Sequence, residues 1–161
     1  MPANALLISQ QFDVPQARDD PMHEGMDIWG ERGTPVLAAA PGRVIASYHE
    51  PLYGRRIHID HGPDEDGRRV VTRYFHLDER LVKVGDRVER GKMIGRMGST
   101  GLLGAAVHLH FEVRRAEQGR SLKSFDPHLF WTAGIGRVTC FDADAAYADA
   151  PFRTTYPTAC R

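Results

Sequence analysis

The sequence predicts an all-β fold: an antiparallel domain of sandwich or barrel-like form with little helix. Three observations carry this. Apolar and polar residues alternate with a period of two over several stretches, glycines and prolines punctuate the chain between them, and only residues 78–82 and 142–150 suggest any helix.

In order along the chain, residues 36–39 are a short apolar run, Pro41-Gly42 makes a turn, and residues 43–48 read as the return strand. Residues 56–61 alternate, with Ile57, Ile59 and His61 on one face and Arg56, His58 and Asp60 on the other. A polar loop over 62–67 leads into 69–76, expected to pair with the preceding strand as a hairpin. Gly85, Gly91, Gly95 and Gly98 break residues 84–98 into tight turns between very short strands, and 99–106 is a small-residue loop. Residues 107–114 form the clearest strand: Val107, Leu109, Phe111 and Val113 alternate with His108, His110, Glu112 and Arg114. Segment 78–82 is at most a turn, and Asp126-Pro127 is a turn that ends the domain. One domain over residues 1–133 with a tail, 134–161, packed on it is the expected organisation; no linker, low-complexity tract or fixed-period repeat divides the chain.

The chain of 161 residues is long enough for a hydrophobic core, and 42% apolar with 26% charged residues is globular composition. Twenty-one basic side chains balance 21 acidic ones, so neither nucleic acid nor an anionic membrane is an expected partner. No run approaches 18 apolar residues, so no membrane insertion is expected. Residues 1–10 have one apolar run, 5–8, and no basic region, so they do not read as an export signal; an exported protein's signal would not lie in this chain. Cys140 and Cys160 lack C-x-x-C spacing, and compartment logic favours a disulfide that ties down the tail over two free thiols.

Eight histidines matter only if several converge. In His108-Leu109-His110, positions i and i+2 share a strand face, opposite the apolar set, so both imidazoles point away from the core. In His23-Glu24-Gly25-Met26-Asp27, an imidazole and a carboxylate four residues apart can meet one cation if the backbone turns, and Gly25 makes a turn plausible. In Tyr74-Phe75-His76, the tyrosine and histidine share a face. Each pattern alone is weak: two solvated histidines, two unrelated loop residues and a half-buried strand histidine are the ordinary readings. His61 reads as packing; His49, His58 and His128 read as surface or packing residues.

Taken together, HEGMD, GTPV-LAAAPGRV, YFHL, VGDRVERGKMIGRMGSTG and HLHFEV resemble, in order and spacing, the lysostaphin-type (LytM-like) zinc endopeptidases of peptidoglycan, over about residues 23–131. The resemblance implies an all-β fold with a substrate groove, one Zn²⁺, and hydrolysis of peptide bonds in stem-peptide cross-links or bridges. It implies zinc ligation by His23, Asp27 and His110, and places His76 and His108 at the family's two non-ligand catalytic histidines. None of these five positions departs from that pattern. The implied setting is periplasmic or extracellular, with a peptidoglycan peptide as substrate and a monomeric protein.

Elementary chemistry agrees. Two histidines and one carboxylate leave a tetrahedral zinc with an open position, as in catalytic sites, where bound water ionises near pH ~7 and attacks the amide carbonyl. His76 and His108 would then assist by hydrogen bonding or proton transfer, and a histidine is expected to take the water's proton. No H-E-x-x-H is present, so the helical zincin arrangement is not expected. A non-catalytic module on the same fold, gripping peptidoglycan or activating an amidase, is the alternative; intact ligands and both further histidines favour the enzyme. Residues 84–92 are similar to the turns of biotinyl and lipoyl carriers, but Lys92-Met93 lacks the preceding methionine.

Overall fold

The structure is a computed structural model and describes residues 1–13, 22–116 and 120–161. Its strands in chain order are β1 (Ile8–Gln10), β2 (Met26–Trp29), β3 (Pro35–Leu37), β4 (Gly42–Glu50), β5 (Gly54–Pro63), β6 (Arg69–Arg80), β7 (Arg87–Val88), β8 (Met93–Met97), β9 (His108–Ala116) and β10 (Leu122–Phe125). Every pairing between them is antiparallel. The main path runs β1-β2-β9-β6-β5-β4-β7, with β10 beside β9 and the β3–β8 pair joined through β6. This is the all-β architecture the alternation predicts.

Strand alternation decides what is buried. Ile57, Ile59, Tyr74, Leu109, Phe111 and Val113 turn inward and pack with Val36, Ile94 and Met97 of the β3–β8 pair. Burying each such side chain contributes about 1.5–3 kcal/mol. The opposite face of β9 and β6 keeps His108, His110, Glu112, Arg73 and Phe75 clear of that core, and there the functional groups gather.

Two expectations need correction. β3 and β4 are not a hairpin: β3 pairs with β8, and β4 with β5 and β7. The buried Ala38–Ala40 run between them crosses the layers, because other partners take its backbone groups. Ala38 N–H donates to the Lys92 carbonyl at 2.9 Å, and Ala39 N–H donates to the Tyr74 hydroxyl at 2.9 Å. Residues 142–150 form turns and bends rather than helix, since the Asp142 carboxylate accepts from Asp144 N–H at 3.0 Å and competes with a helical ladder. Among the described residues the one helical segment is a 3-10 turn, Pro127–Leu129, capped by Asp126.

The tail joins the core. Trp131 and Tyr156 are fully buried, Val36 bridges to Thr158, and Trp131 bridges to Thr154. Cys140 and Cys160 form a disulfide with Cα atoms 6.0 Å apart.

Candidate metal centre

Antiparallel pairing of β2 with β9 sets Asp27 opposite His110 and Trp29 opposite His108. Asp27 and His110 therefore share one sheet face, and the Asp27 Oδ1 lies 2.7 Å from His110 Nδ1. His23, just before β2, closes the group: its Nε2 is 3.2 Å from Asp27 Oδ1 and 3.2 Å from His110 Nδ1. Gly25 is needed for close approach rather than for a turn, since a Cβ there would strike the Phe111 carbonyl and come within 3.0 Å of His110 Nε2.

Hydrogen bonds on the far side of each ring fix which nitrogen is free. His23 Nδ1 is 2.7 Å from the Gln11 carbonyl, and His110 Nε2 is 3.1 Å from Glu112 Oε1. A carbonyl and a carboxylate only accept, so those nitrogens carry the hydrogens. In the neutral rings, His23 Nε2 and His110 Nδ1 then present lone pairs to each other and to Asp27 Oδ1. With His110 neutral, three acceptors converge with no hydrogen among them, a gap that either a proton on His110 Nδ1 or a metal ion fills, and the ligand atoms of His23, Asp27 and His110 lie within 4.8 Å of one another. Two nitrogens and one oxygen are a borderline donor set, matched to Zn²⁺ better than to Mg²⁺ or Ca²⁺.

The electrostatics agree. Burial opposes the charge on Asp27, but bonds from His110 and His23 and nearby imidazole charge hold its carboxyl well below the usual range. Burial would lower His110, yet Asp27 and Glu112 raise it to about 9. The same negative surroundings that raise its proton affinity would draw a metal ion. Glu112 is buried, which would raise it, but His110 and Arg114 bring it down to about 2.

His76 and His108 stand beside this group with ring centroids 4.6 Å apart. Both are anchored alike: His76 Nδ1 donates to the Thr100 carbonyl at 2.9 Å, and His108 Nδ1 donates to the Ala106 carbonyl at 2.9 Å. Each Nε2 is left without its hydrogen in the neutral ring, and that of His108 lies 3.8 Å from Asp27 Oδ1. Burial drops His76 to about 4, against the Thr100 bond, which raises it. His76 also has φ 62°, a left-handed conformation unusual for a histidine, held by its N–H bond to the Tyr53 carbonyl at 3.1 Å. Loop 99–104 can sit this close because Gly54 and Gly101, both at positive φ, pack backbone to backbone where a Cβ would collide.

All five residues singled out from the sequence line one cavity of about 310 Å³. Four others were not singled out. Glu112 orients His110, and its signal was available, since it shares the i, i+2 face of the two β9 histidines. Tyr53 lines the same cavity from the β4–β5 turn. Gln11 holds His23 by its carbonyl and His128 by its side chain at 2.9 Å, while His128 accepts from Trp131 Nε1 at 2.9 Å. His128, half-buried, thus takes the packing role of the two expected, as a link between Trp131 and the Gln11 that holds His23. Arg73 sits opposite Glu112 on β6.

An antiparallel β fold with a His–Asp–His cluster and two further histidines in one groove defines a narrow class of protein, and comparison with known proteins bears on it directly. Residues 21–129 match the family model described as Peptidase family M23. The chain belongs to that family, as the lysostaphin-type motifs implied. It is 39% identical over 90 residues to peptidoglycan DD-endopeptidase ShyC of Vibrio cholerae, covering 56% of this chain and 19% of that protein's length. The catalytic domain of lysostaphin from Staphylococcus simulans superposes with TM-score 0.62 at 30% identity, over 76% of this chain and 89% of that one. A zinc-containing peptidase from Vibrio cholerae gives TM-score 0.62 at 31% identity, over 75% of this chain and 35% of that one.

Proposed function

We propose that the chain is a zinc-dependent endopeptidase that hydrolyses peptide bonds in peptidoglycan cross-links or bridges, working outside the cytoplasmic membrane where that polymer lies. The observation that carries this reading is the convergence of His23 Nε2, Asp27 Oδ1 and His110 Nδ1, with His76 and His108 in the same cavity. The catalytic domain would span residues 1–133 with 134–161 packed on it, and the disulfide suits an oxidising compartment. Membership of a peptidase family and likeness to a DD-endopeptidase support the substrate class.

His23, Asp27 and His110 would hold the zinc, which when bound supplies Lewis-acid chemistry, acidifying water and polarising an amide carbonyl. Glu112 and the Gln11 carbonyl keep the two ligand rings in the tautomers that face the ion. His76 and His108, pinned at Nδ1, act at Nε2: one accepts the proton that water loses as it adds to the carbonyl carbon, and a protonated imidazole returns it to the amine nitrogen as the C–N bond breaks. Fixed imidazole orientation is what makes such a transfer effective.

Purified walls should be digested with the zinc-loaded protein and the products weighed by mass spectrometry. New amino groups with intact glycan are expected. New reducing sugar ends without new amino groups, or undiminished activity after exhaustive chelation, would defeat the reading.

A further inference from the structure

The floor of the groove continues past the metal cluster. On β9, Glu112 follows His110 on the same face; on β6, Arg73 stands opposite Glu112 just as Phe75 stands opposite His110. One two-residue strand step, about 7 Å, therefore separates the row of Arg73 from the row of the ligand His110.

Three arginines meet on this floor, and two are fully occupied. Arg114 donates through Nε to Glu112 Oε2 at 2.7 Å and through its amino group to Glu24 Oε2 at 2.6 Å. Arg56 lies 4.9 Å over Tyr48 and 5.0 Å over Phe75 and donates Nε to His58 Nε2 at 3.1 Å. Arg73 has no comparable partner. Its Nε is buried without a hydrogen bond among the described residues. Its one ion pair among the described residues is a 3.8 Å approach to Glu112 Oε2, beyond hydrogen-bond range and directed at an oxygen Arg114 already holds.

A guanidinium that is partly withdrawn from water and left unpaired is costly, and its placement calls for a reason. Its side chain remains 22% exposed, on the sheet face that carries Glu112 and His110. Burial, and then the charge of Arg114, disfavour the cation, which an anion would relieve. Among the described residues the nearby carboxylates do not serve, because Glu112 and Glu24 are both taken by Arg114. The two amino groups at the end of the planar fork fit a carboxylate in bidentate fashion.

We propose that Arg73 is a substrate-binding residue that takes a carboxylate of the peptide lying in the groove. This rests on the peptidase reading and deepens it: the substrate is an anionic peptide, recognised by charge about one strand step from the bond that is cut.

The test is calorimetric binding to the zinc-loaded protein, using a synthetic cross-linked stem peptide with free carboxylates and the same peptide with them amidated. Wild type should bind the acid about 10- to 100-fold more tightly than the amide, the scale of a charge-assisted hydrogen-bonded pair. R73Q should lose that preference while binding the amide as wild type does and retaining its zinc; R73K, which keeps the charge but not the fork, should fall between. Equal wild-type affinity for acid and amide overturns the proposal even if R73Q fails to fold, and so does an R73Q protein that keeps the wild-type preference. Loss of zinc in R73Q with unchanged preference would make Arg73 a support for Glu112 and overturn it too. An Arg73-dependent preference in a protein that cleaves neither peptide would uphold the proposal and defeat the peptidase reading.

Discussion

Glu112→Gln isolates what the carboxylate behind the metal centre contributes. In the native protein, Glu112 Oε1 accepts from His110 Nε2 at 3.1 Å while Oε2 accepts from Arg114 Nε at 2.7 Å. Both neighbours are donors. A glutamine has one oxygen and one NH₂, so it can satisfy either neighbour but must point hydrogens at the other. It also removes the negative charge that stabilises His110 and faces Arg73 and Arg114. Losing one partner of a buried ion pair costs on the order of 3 kcal/mol, within the roughly 5–15 kcal/mol stability of a domain this size, so the variant should still fold. Loss of an outer partner of a metal-bound histidine weakens metal binding by about 10- to 100-fold. Zinc affinity, measured by competition with a chromogenic chelator, should therefore fall by that factor in a variant with a cooperative melt. Glu24→Gln is the control. Glu24 pairs with the far end of Arg114 and its side chain is 48% exposed, so the zinc affinity of that variant should change by about twofold or less. A folded Glu112→Gln protein with wild-type zinc affinity would refute the orienting role.

How much of this was legible beforehand follows from the physics of each element. The face of β9 could be read because side-chain alternation along a strand is local: Leu109, Phe111 and Val113 had to go inward, which sent His108 and His110 outward together. Which strand lies beside β9 is a long-range matter. Asp27 meets His110 through a pairing across 83 positions, and local pattern could not supply it; the family resemblance did. The β3–β4 hairpin failed for the same reason, since Pro41-Gly42 looks like a tight turn until Lys92 and Tyr74 claim the backbone of Ala38 and Ala39. His76 was assigned to a face by alternation, but its left-handed φ breaks the alternation there, and Tyr53 and Thr100, both distant in sequence, hold it in place. Arg73 carried no signal because an arginine on a strand's outer face is ordinary. What sets it apart is the pairing it lacks, a property of its neighbours.

Further predictions concern the remaining histidines and the disulfide. His110→Ala removes a proposed zinc ligand and should lower metal content, while His108→Ala should keep about one zinc per chain and lose roughly 10² or more in turnover; full zinc in the first with loss in the second would reverse the assignment. Reducing Cys140–Cys160, 20 residues apart, removes about 3 kcal/mol of chain-entropy stabilisation and should lower the melting temperature by roughly 6–12 °C; an unchanged melt would contradict a stabilising bridge. The last prediction concerns acid. Burial first, then Arg73 and Arg56, bring His58 down to about 3, and burial brings His61 down to about 4 against the Pro41 carbonyl, which raises it. Folded-state values below the ordinary 6.5 mean that the unfolded chain takes up protons first as pH falls. Their contribution is thus complete above about pH 6.5 and is lost towards pH 4, at roughly 1.4 kcal/mol per pH unit for each histidine. By pH 5 the pair should have cost on the order of 4 kcal/mol, before the carboxylates begin to titrate appreciably. Urea unfolding of the metal-free protein between pH 6.5 and 5 should show at least this slope, since His76, also brought down to about 4 by burial, acts in the same sense, while His110 is already largely protonated in both states. His58→Gln, whose amide oxygen can still accept from Arg56, should flatten the slope by roughly 1.4 kcal/mol per unit, and an unaltered slope would mean that His58 is not kept neutral by its surroundings.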